Sequence, residues 1–193
     1  MRSLLSLWKM FCYSAGTAVL GLAVYEFWFL AQILYWVEHN PATTRTMDAR
    51  LEAMRPNKSK TLEQKWTDYG RISIHLKRAI IVAEDAKFVE HEGFDWEGIQ
   101  RAMDKNQRRG KFVARRIFEI YLNVAEWGEN VFGAEAAARH YFGVDAAGLE
   151  PEQAARLAAM LPRPRYYDRN RSSPYLTSYS ESILTQMSAA QVP

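Results

Sequence analysis

The chain has 193 residues, of which 48% are hydrophobic, 13% aromatic and 24% charged, so it carries enough apolar content for a core and is not a disordered chain. That length allows one domain with an appendage and excludes tandem catalytic modules. Lys and Arg number 25 against 22 Asp and Glu, a net charge of +3 that excludes a polyanion-coating protein, and the single cysteine, Cys12, excludes a disulfide framework and a cysteine-based zinc cluster.

A mean hydropathy of −0.32 hides an asymmetry along the chain. Residues 1–9 form a short tail carrying Arg2 and Lys9. Residues 10–37 hold one charge, Glu26, and read as a membrane anchor with an interfacial extension. A helix over Met10–Leu30 is ~31 Å long, matching the hydrocarbon core, with Glu26 toward the far headgroups. Arg2 and Lys9 before the apolar run keep the amino terminus in the cytoplasm and send the rest of the chain to the periplasmic side of the inner membrane. A cleaved signal peptide with its site at Gly21-Leu22-Ala23 is the competing reading. The apolar run continues through Phe27, Trp28, Phe29, Leu30, Ile33, Leu34 and Trp36, which favours an anchor over a leader or a buried soluble helix.

Residues 38–72 are polar and turn-rich and read as a tether with a short helix around Met47–Met54. The folded domain is expected over residues 73–193. Ser73 caps a helix in which Leu76, Ala79, Ile80, Ala83 and Phe88 share one face. Asp95 caps a second helix, Trp96 to about Arg108. Arg116–Asn123 and Ala134–His140 have helical patterning, and Pro151–Met160 is a helix with proline in its first turn and Pro162 at its end. No segment alternates convincingly as a strand, so the fold class is all-α.

The segment from Glu84 to Gly93 carries the sharpest chemical signal. Glu84, Phe88 and His91 stand at i, i+4 and i+7, which puts a carboxylate, a ring and an imidazole on one helix face. Following Ile80, Ile81, Val82 and Ala83, Glu84 is expected to be partly desolvated, a setting suited to general base work. The plainer alternative is that Glu84 and Asp85 are solvated and His91 is a cap residue. Lys105, Arg108, Arg109, Lys111, Arg115 and Arg116 place six cations and no acid within twelve residues. Such a patch holds phosphate oxygens, lies on anionic headgroups, or is a solvated loop. Nucleic acid is not expected as a partner, because the domain is exported and no aromatics alternate with these cations. Arg163, Arg165, Tyr166 and Tyr167 read as a packed surface turn. His39, His75 and His140 lack metal-ligand spacing, so no protein metal site is assigned.

Glu84-Asp85-x-x-Phe88-x-x-His91-x-Gly93 followed by Phe94-Asp95 resembles the first signature of the lysozyme-like peptidoglycan glycosyltransferases, particularly their monofunctional membrane-anchored form. Arg116-Ile-Phe-Glu119-Ile-Tyr121-Leu122-Asn123 with Glu126-Trp127-Gly128 resembles the fourth signature. Phe132-Gly133-Ala134, Tyr141-Phe142-Gly143 and Glu152–Ala158 with Leu161-Pro162 resemble the fifth region and the closing helix. The chain departs from the family between Lys111 and Arg116, where a glycine-rich Ser-Thr-Ile-x-Gln-Gln segment and an Arg-Lys-x-x-Glu segment, with the second catalytic glutamate, are absent.

The resemblance implies an inverting hexosyl transfer that polymerises lipid II into glycan strands for cell-wall synthesis. Glu84 is then the base acting on the acceptor hydroxyl. Asp85, Phe88 and His91 shape the site, and Glu119, Tyr121 and Asn123 support the cleft; the resemblance gives no residue for the donor-site loop, and Lys111, Arg115 and Arg116 of the basic patch are the candidates for holding the diphosphate. A divalent cation such as magnesium is the cofactor the diphosphate would bring. Lipid II, the growing strand, the membrane and other cell-wall synthesis proteins are the implied partners. The rival reading is a non-catalytic membrane module with lipid II affinity, favoured by the missing segment. A glycan hydrolase with a lone acid is a third, disfavoured by the residues from Glu119 to Asn123.

Overall fold

A computed structural model describes residues 2–55, 61–90 and 107–192, with side chains over 8–55, 61–84 and 112–192. The chain forms two units, Met1–Pro41 and Ala42–Pro193. The first is a single helix, α1 (Arg2–Glu38), of 37 residues and ~55 Å. Within it Trp8–Glu38 is long and apolar enough to cross a membrane. Two of its hydroxyls are turned back onto the helix: Ser14 Oγ donates to the Met10 carbonyl and Thr17 Oγ1 to that of Tyr13, each at 2.9 Å. Its end is closed by His39, whose N–H bonds the Tyr35 carbonyl and whose ring stacks on Tyr35 at 4.0 Å.

The second unit begins near Ala42, ahead of the Ser73 start expected from composition. Thr44 caps α2 (Arg45–Met54) by accepting from the Met47 N–H at 3.3 Å, and Met47 and Met54 bury themselves beneath that helix. Further on, Tyr69 and Ile72 are also buried. These residues belong to the core, so 42–55 and 61–72 are part of the domain and not a tether.

Three strands of two or three residues form a small sheet that the sequence did not suggest: β1 (Glu63–Gln64), β2 (Glu126–Gly128) and β3 (Val131–Phe132), in the order β1-β3-β2. Glu63 and Gln64 pair parallel with Val131 and Phe132, whereas β2 and β3 form a hairpin turning at Asn130, φ 66°. Strands this short show no readable alternation, and long-range pairing alone defines them. The described part is otherwise helical, as expected.

Ser73 caps α3 (Ile74–Glu90), accepting from the His75 N–H at 3.2 Å while donating to the Leu149 carbonyl at 2.9 Å. The expected helix from Trp96 lies mostly outside the described residues. Then follow α4 (Gln107–Val124), α5 (Ala134–Phe142), α6 (Pro151–Met160), α7 (Pro164–Arg169) and α8 (Pro174–Gln186). The run from Arg163 to Tyr167, expected as a packed turn, forms most of α7. The helix α6 packs against both α3 and α8. It can do so because Ala154, Ala155, Ala158 and Ala159 are small and buried, facing Ala79 and Ala83 of α3 in the same core. Leu76, Ile80, Leu157, Leu176 and Ile183 fill the rest, each contributing about 1.5–3 kcal/mol by burial.

Candidate active site

Glu84 sits toward the end of α3 directly after buried Val82 and Ala83, yet it is exposed. The expected desolvation is therefore not present. Each helical step turns the side chain by about 100°, so a residue that follows buried neighbours in sequence is not buried by them. The backbone beneath Glu84 is held: Tyr179 Oη of α8 donates to the Ala83 carbonyl at 3.2 Å. Asp85, Phe88 and Lys111 lie on described helices, but their side chains are outside the described set, and His91 and Lys105 lie outside the described residues.

The helix α4 brings Tyr121 to Glu84, whose Oε1 accepts from Tyr121 Oη at 3.3 Å. Burial, and then the Glu84 carboxylate beside it, push the Tyr121 phenol well above its ordinary value, so it remains a hydrogen donor. Glu119 and Asn123 face a different task. Glu119 accepts from the Tyr69 N–H at 3.0 Å and from Arg116 Nη1 at 3.1 Å. Asn123 is fully buried; its Oδ1 accepts from the Thr67 N–H at 2.7 Å, and its Nδ2 donates to the carbonyls of Thr67 and Glu119, both at 2.9 Å. Two of the three fourth-signature side chains thus lash the segment around Thr67 and Tyr69 to α4, and the third touches Glu84.

Of the expected diphosphate-facing cations, Arg116 is already engaged, paired with Glu119 and lying 5.6 Å over the Trp66 ring. Arg115 is exposed and lies 4.9 Å over Tyr69. On that same ring, at 4.0 Å, sits Lys77, a buried cation that the sequence reading passed over. Burial, and then Arg115, hold the Lys77 ammonium below its ordinary value, while Glu119 acts in the opposite direction. Its signal was available: Lys77 precedes Glu84 by two helical turns on one face of α3. Tyr179 had no such signal, because it reaches α3 from the far end of the chain.

Gly133 secures the wall behind α4. It begins α5 at φ 84°, and a Cβ there would lie 2.7 Å from the Asn123 carbonyl oxygen. Buried Glu135 ties α5 to its surroundings, accepting from the Ala146 N–H and Arg139 Nε at 2.8 Å and from Lys65 Nζ at 3.1 Å. Burial alone would raise its carboxyl, but these donors outweigh it and hold it below the usual carboxylate range. Among the described residues no group of three or more His, Cys, Asp or Glu is arranged to hold a metal ion.

The family described as Transglycosylase matches residues 50–114 and 110–188 of this chain. The match falls in two pieces that meet at 110–114, the place where the signatures read from the sequence are interrupted. A biosynthetic peptidoglycan transglycosylase of Dechloromonas aromatica (strain RCB) is 50% identical over 211 residues, covering 88% of this chain and 91% of the relative. Those of Methylobacillus flagellatus and Nitrosospira multiformis are 46% and 42% identical, covering 91% and 96% of this chain and 95% and 97% of theirs. The first alignment spans 211 positions against a chain of 193 residues, so the relative carries positions that this chain lacks.

Proposed function

This chain belongs to the family of biosynthetic peptidoglycan transglycosylases, and from that premise we propose that Glu84 is the base of its reaction. The protein is a peptidoglycan glycosyltransferase that polymerises lipid II. In that reaction the acceptor sugar's 4-hydroxyl attacks the anomeric carbon of the growing strand, its proton passes to a carboxylate, and undecaprenyl diphosphate leaves with inversion. What supports Glu84 in this role is an exposed carboxylate on a helix whose other face is buried, oriented by the Tyr121 hydroxyl at 3.3 Å. Tyr121 retains its proton and positions the base. Lys111 and Arg115 take the diphosphate charge; a divalent cation such as magnesium would add positive charge at the leaving diphosphate, and no side chain among the described residues is assigned to hold it.

The break at 110–114 favours impaired turnover, because the absent segment supplies the family's second catalytic glutamate and its donor-site loop. A lipid II-binding module with little turnover is the corresponding second reading. The test is polymerisation by the purified full chain beside a version with the relative's segment grafted between Lys111 and Arg116. The grafted chain is expected to be at least ~100-fold faster, the scale of one lost acid–base group. Equal rates would overturn the impairment.

The anchor sets where this happens. Arg2 and Lys9 at the amino end of α1, before its uncharged run, support an amino terminus in the cytoplasm and a catalytic domain in the periplasm, beside other cell-wall synthesis proteins. Protease added to spheroplasts should digest the domain and spare the amino terminus; full protection would reject this orientation.

A further inference from the structure

Tyr179 braces the backbone beneath Glu84 and also belongs to a patterned face of its own helix. In α8, Tyr175, Ser178, Tyr179, Ser182 and Gln186 stand at i, i+3, i+4, i+7 and i+11, one face that runs ~16 Å along the helix. Leu176 and Ile183 turn the neighbouring face into the core, which leaves Tyr175, Ser178, Ser182 and Gln186 exposed and Tyr179 half-buried at the rim. The Tyr175 and Tyr179 rings lie nearly parallel, tilted by 28° with centroids 5.8 Å apart. Gln186 Nε2 donates to Ser182 Oγ at 3.2 Å, so an amide and a hydroxyl are paired on the same face. The one charged residue of α8, Glu181, lies outside it. Beyond Tyr175 the aromatic surface continues onto α7. There Tyr167 lies within electrostatic reach of Tyr175 and its ring meets that of exposed Tyr166 at 5.2 Å, with Arg163 the cation at that far end.

We propose that this face of α8 is a carbohydrate-binding surface that stacks pyranose rings on Tyr175 and Tyr179 and so holds the part of a glycan strand already made. The side chains select this class. The C–H groups on one face of a pyranose carry slight positive charge and fit the electron-rich face of an aromatic ring, while its outward hydroxyls exchange hydrogen bonds with serine hydroxyls and a carboxamide. A lipid surface would ask for different groups, cations for its phosphates and an aliphatic or tryptophan wedge for its acyl boundary. The face has neither: Tyr166 and Tyr175 are the exposed large hydrophobic side chains from Pro164 to Gln186, and Arg163, Arg165 and Arg169 belong to α7 and its cap. A free phosphate or carboxylate finds no cation on it either. Position agrees with chemistry, because Tyr179 Oη bonds the carbonyl of Ala83, the residue directly before Glu84, at 3.2 Å. The face therefore adjoins the place of reaction and leads away from it, and a strand whose reacting end lies at Glu84 can continue over Tyr179 and Tyr175. That occupant rests on the polymerase reading; the sugar chemistry of the face rests on α8 alone.

The test uses the full chain in micelles of a detergent without a sugar head group, and chitotetraose, the unreactive tetrasaccharide of N-acetylglucosamine. Binding is followed by calorimetry and by the ring resonances of protein labelled at tyrosine. The sugar should bind saturably, shift the Tyr175 and Tyr179 resonances, and hold the same affinity at low and high salt, since no charge takes part. Tyr175→Ala, at a residue 63% exposed, should keep the Tm and weaken binding about fivefold or more, whereas Tyr175→Phe, which keeps the ring, should stay within about twofold. Absence of saturable binding, affinity unchanged in Tyr175→Ala, or affinity that falls with salt would overturn the proposal. So would tyrosine shifts that phosphatidylglycerol added to the micelles produces and the sugar does not, which would assign the face to lipid. Chitotetraose carries no diphosphate and does not react, so its failure to bind removes this surface and leaves the role of Glu84 to the polymerisation assay.

Discussion

The two halves of α4 reverse the usual distribution of polar and apolar groups. Toward its carboxyl end, Asn123 is fully buried and Glu119 largely so, and they are engaged by Thr67, Tyr69 and Arg116. Toward its amino end, Phe112 and Val113 are 59% and 44% exposed. Buried polar groups are stable where every donor and acceptor is met, whereas exposed apolar ones gain nothing from the fold. One half of the helix is thus secured by pairs made within the chain. The other lies beside residues 110–114, where the family match falls into two pieces.

The largest effect should come from the chemistry that the secured half supports. In the chain carrying the grafted segment, Glu84→Gln should lower the rate of lipid II polymerisation on the order of 100- to 10,000-fold while leaving lipid II binding in place, as measured by strand formation and by a filter-binding assay. Unchanged polymerisation would remove Glu84 as the base.

Next in size is the loss of a buried clamp. Asn123→Ala leaves the Thr67 N–H and carbonyl unpaired, and should cost about 3 kcal/mol, or ~6–12 °C in Tm by calorimetry. By contrast, Tyr121→Phe removes one hydrogen bond to a carboxylate and no core contact. It should lower kcat about three- to tenfold with Tm almost unchanged, which separates a positioning hydroxyl from a structural one.

Acid should act on the secured region through Glu135 and Asp168. Burial pushes both carboxyls up, but the donors around them prevail and hold both below their ordinary values. The unfolded chain then takes up these protons first. Their contribution is complete above the ordinary values of 4.5 and 3.8, declines as pH falls beneath them, and is gone once the lowered native values are passed. Tm should therefore fall on acidification below about pH 4.5, and less steeply in Glu135→Gln, whose side chain does not titrate. The smallest effect belongs to the open half: Phe112→Ser should shift stability by no more than about 0.5 kcal/mol, since its ring is already in water. A larger loss would mean that this half is packed after all.

Much of this was legible in sequence because its causes are local. A long apolar run with cations before it specifies α1, and Ser73 with the spacing of Leu76, Ala79, Ile80 and Ala83 specifies the start of α3. Pro151 and Pro162 bracket α6 to the residue, because proline fits a first helical turn and cannot continue a last one. The signature around Glu84 and the interruption after Lys111 were also readable, as order and spacing of residue types. Other features were not. The pairing of β1 with β3, the burial of Met47 and Met54, the Tyr179 bond beneath Glu84 and the arginine pair on Glu126 all join residues far apart in the chain. Arg50 and Glu126, for instance, are 76 positions apart. The sequence by itself determined the anchor, the helices begun by Ser73 and Pro151 and the family signatures, but not α7 and α8, which it read as a turn or passed over. Only the tertiary structure decided that Glu84 is exposed, that Glu119 and Asn123 clamp the segment around Thr67 while Tyr121 bonds Glu84, and that Arg50 and Arg165 meet on one oxygen of Glu126, because helical periodicity orders neighbours along one element and only packing chooses which elements meet.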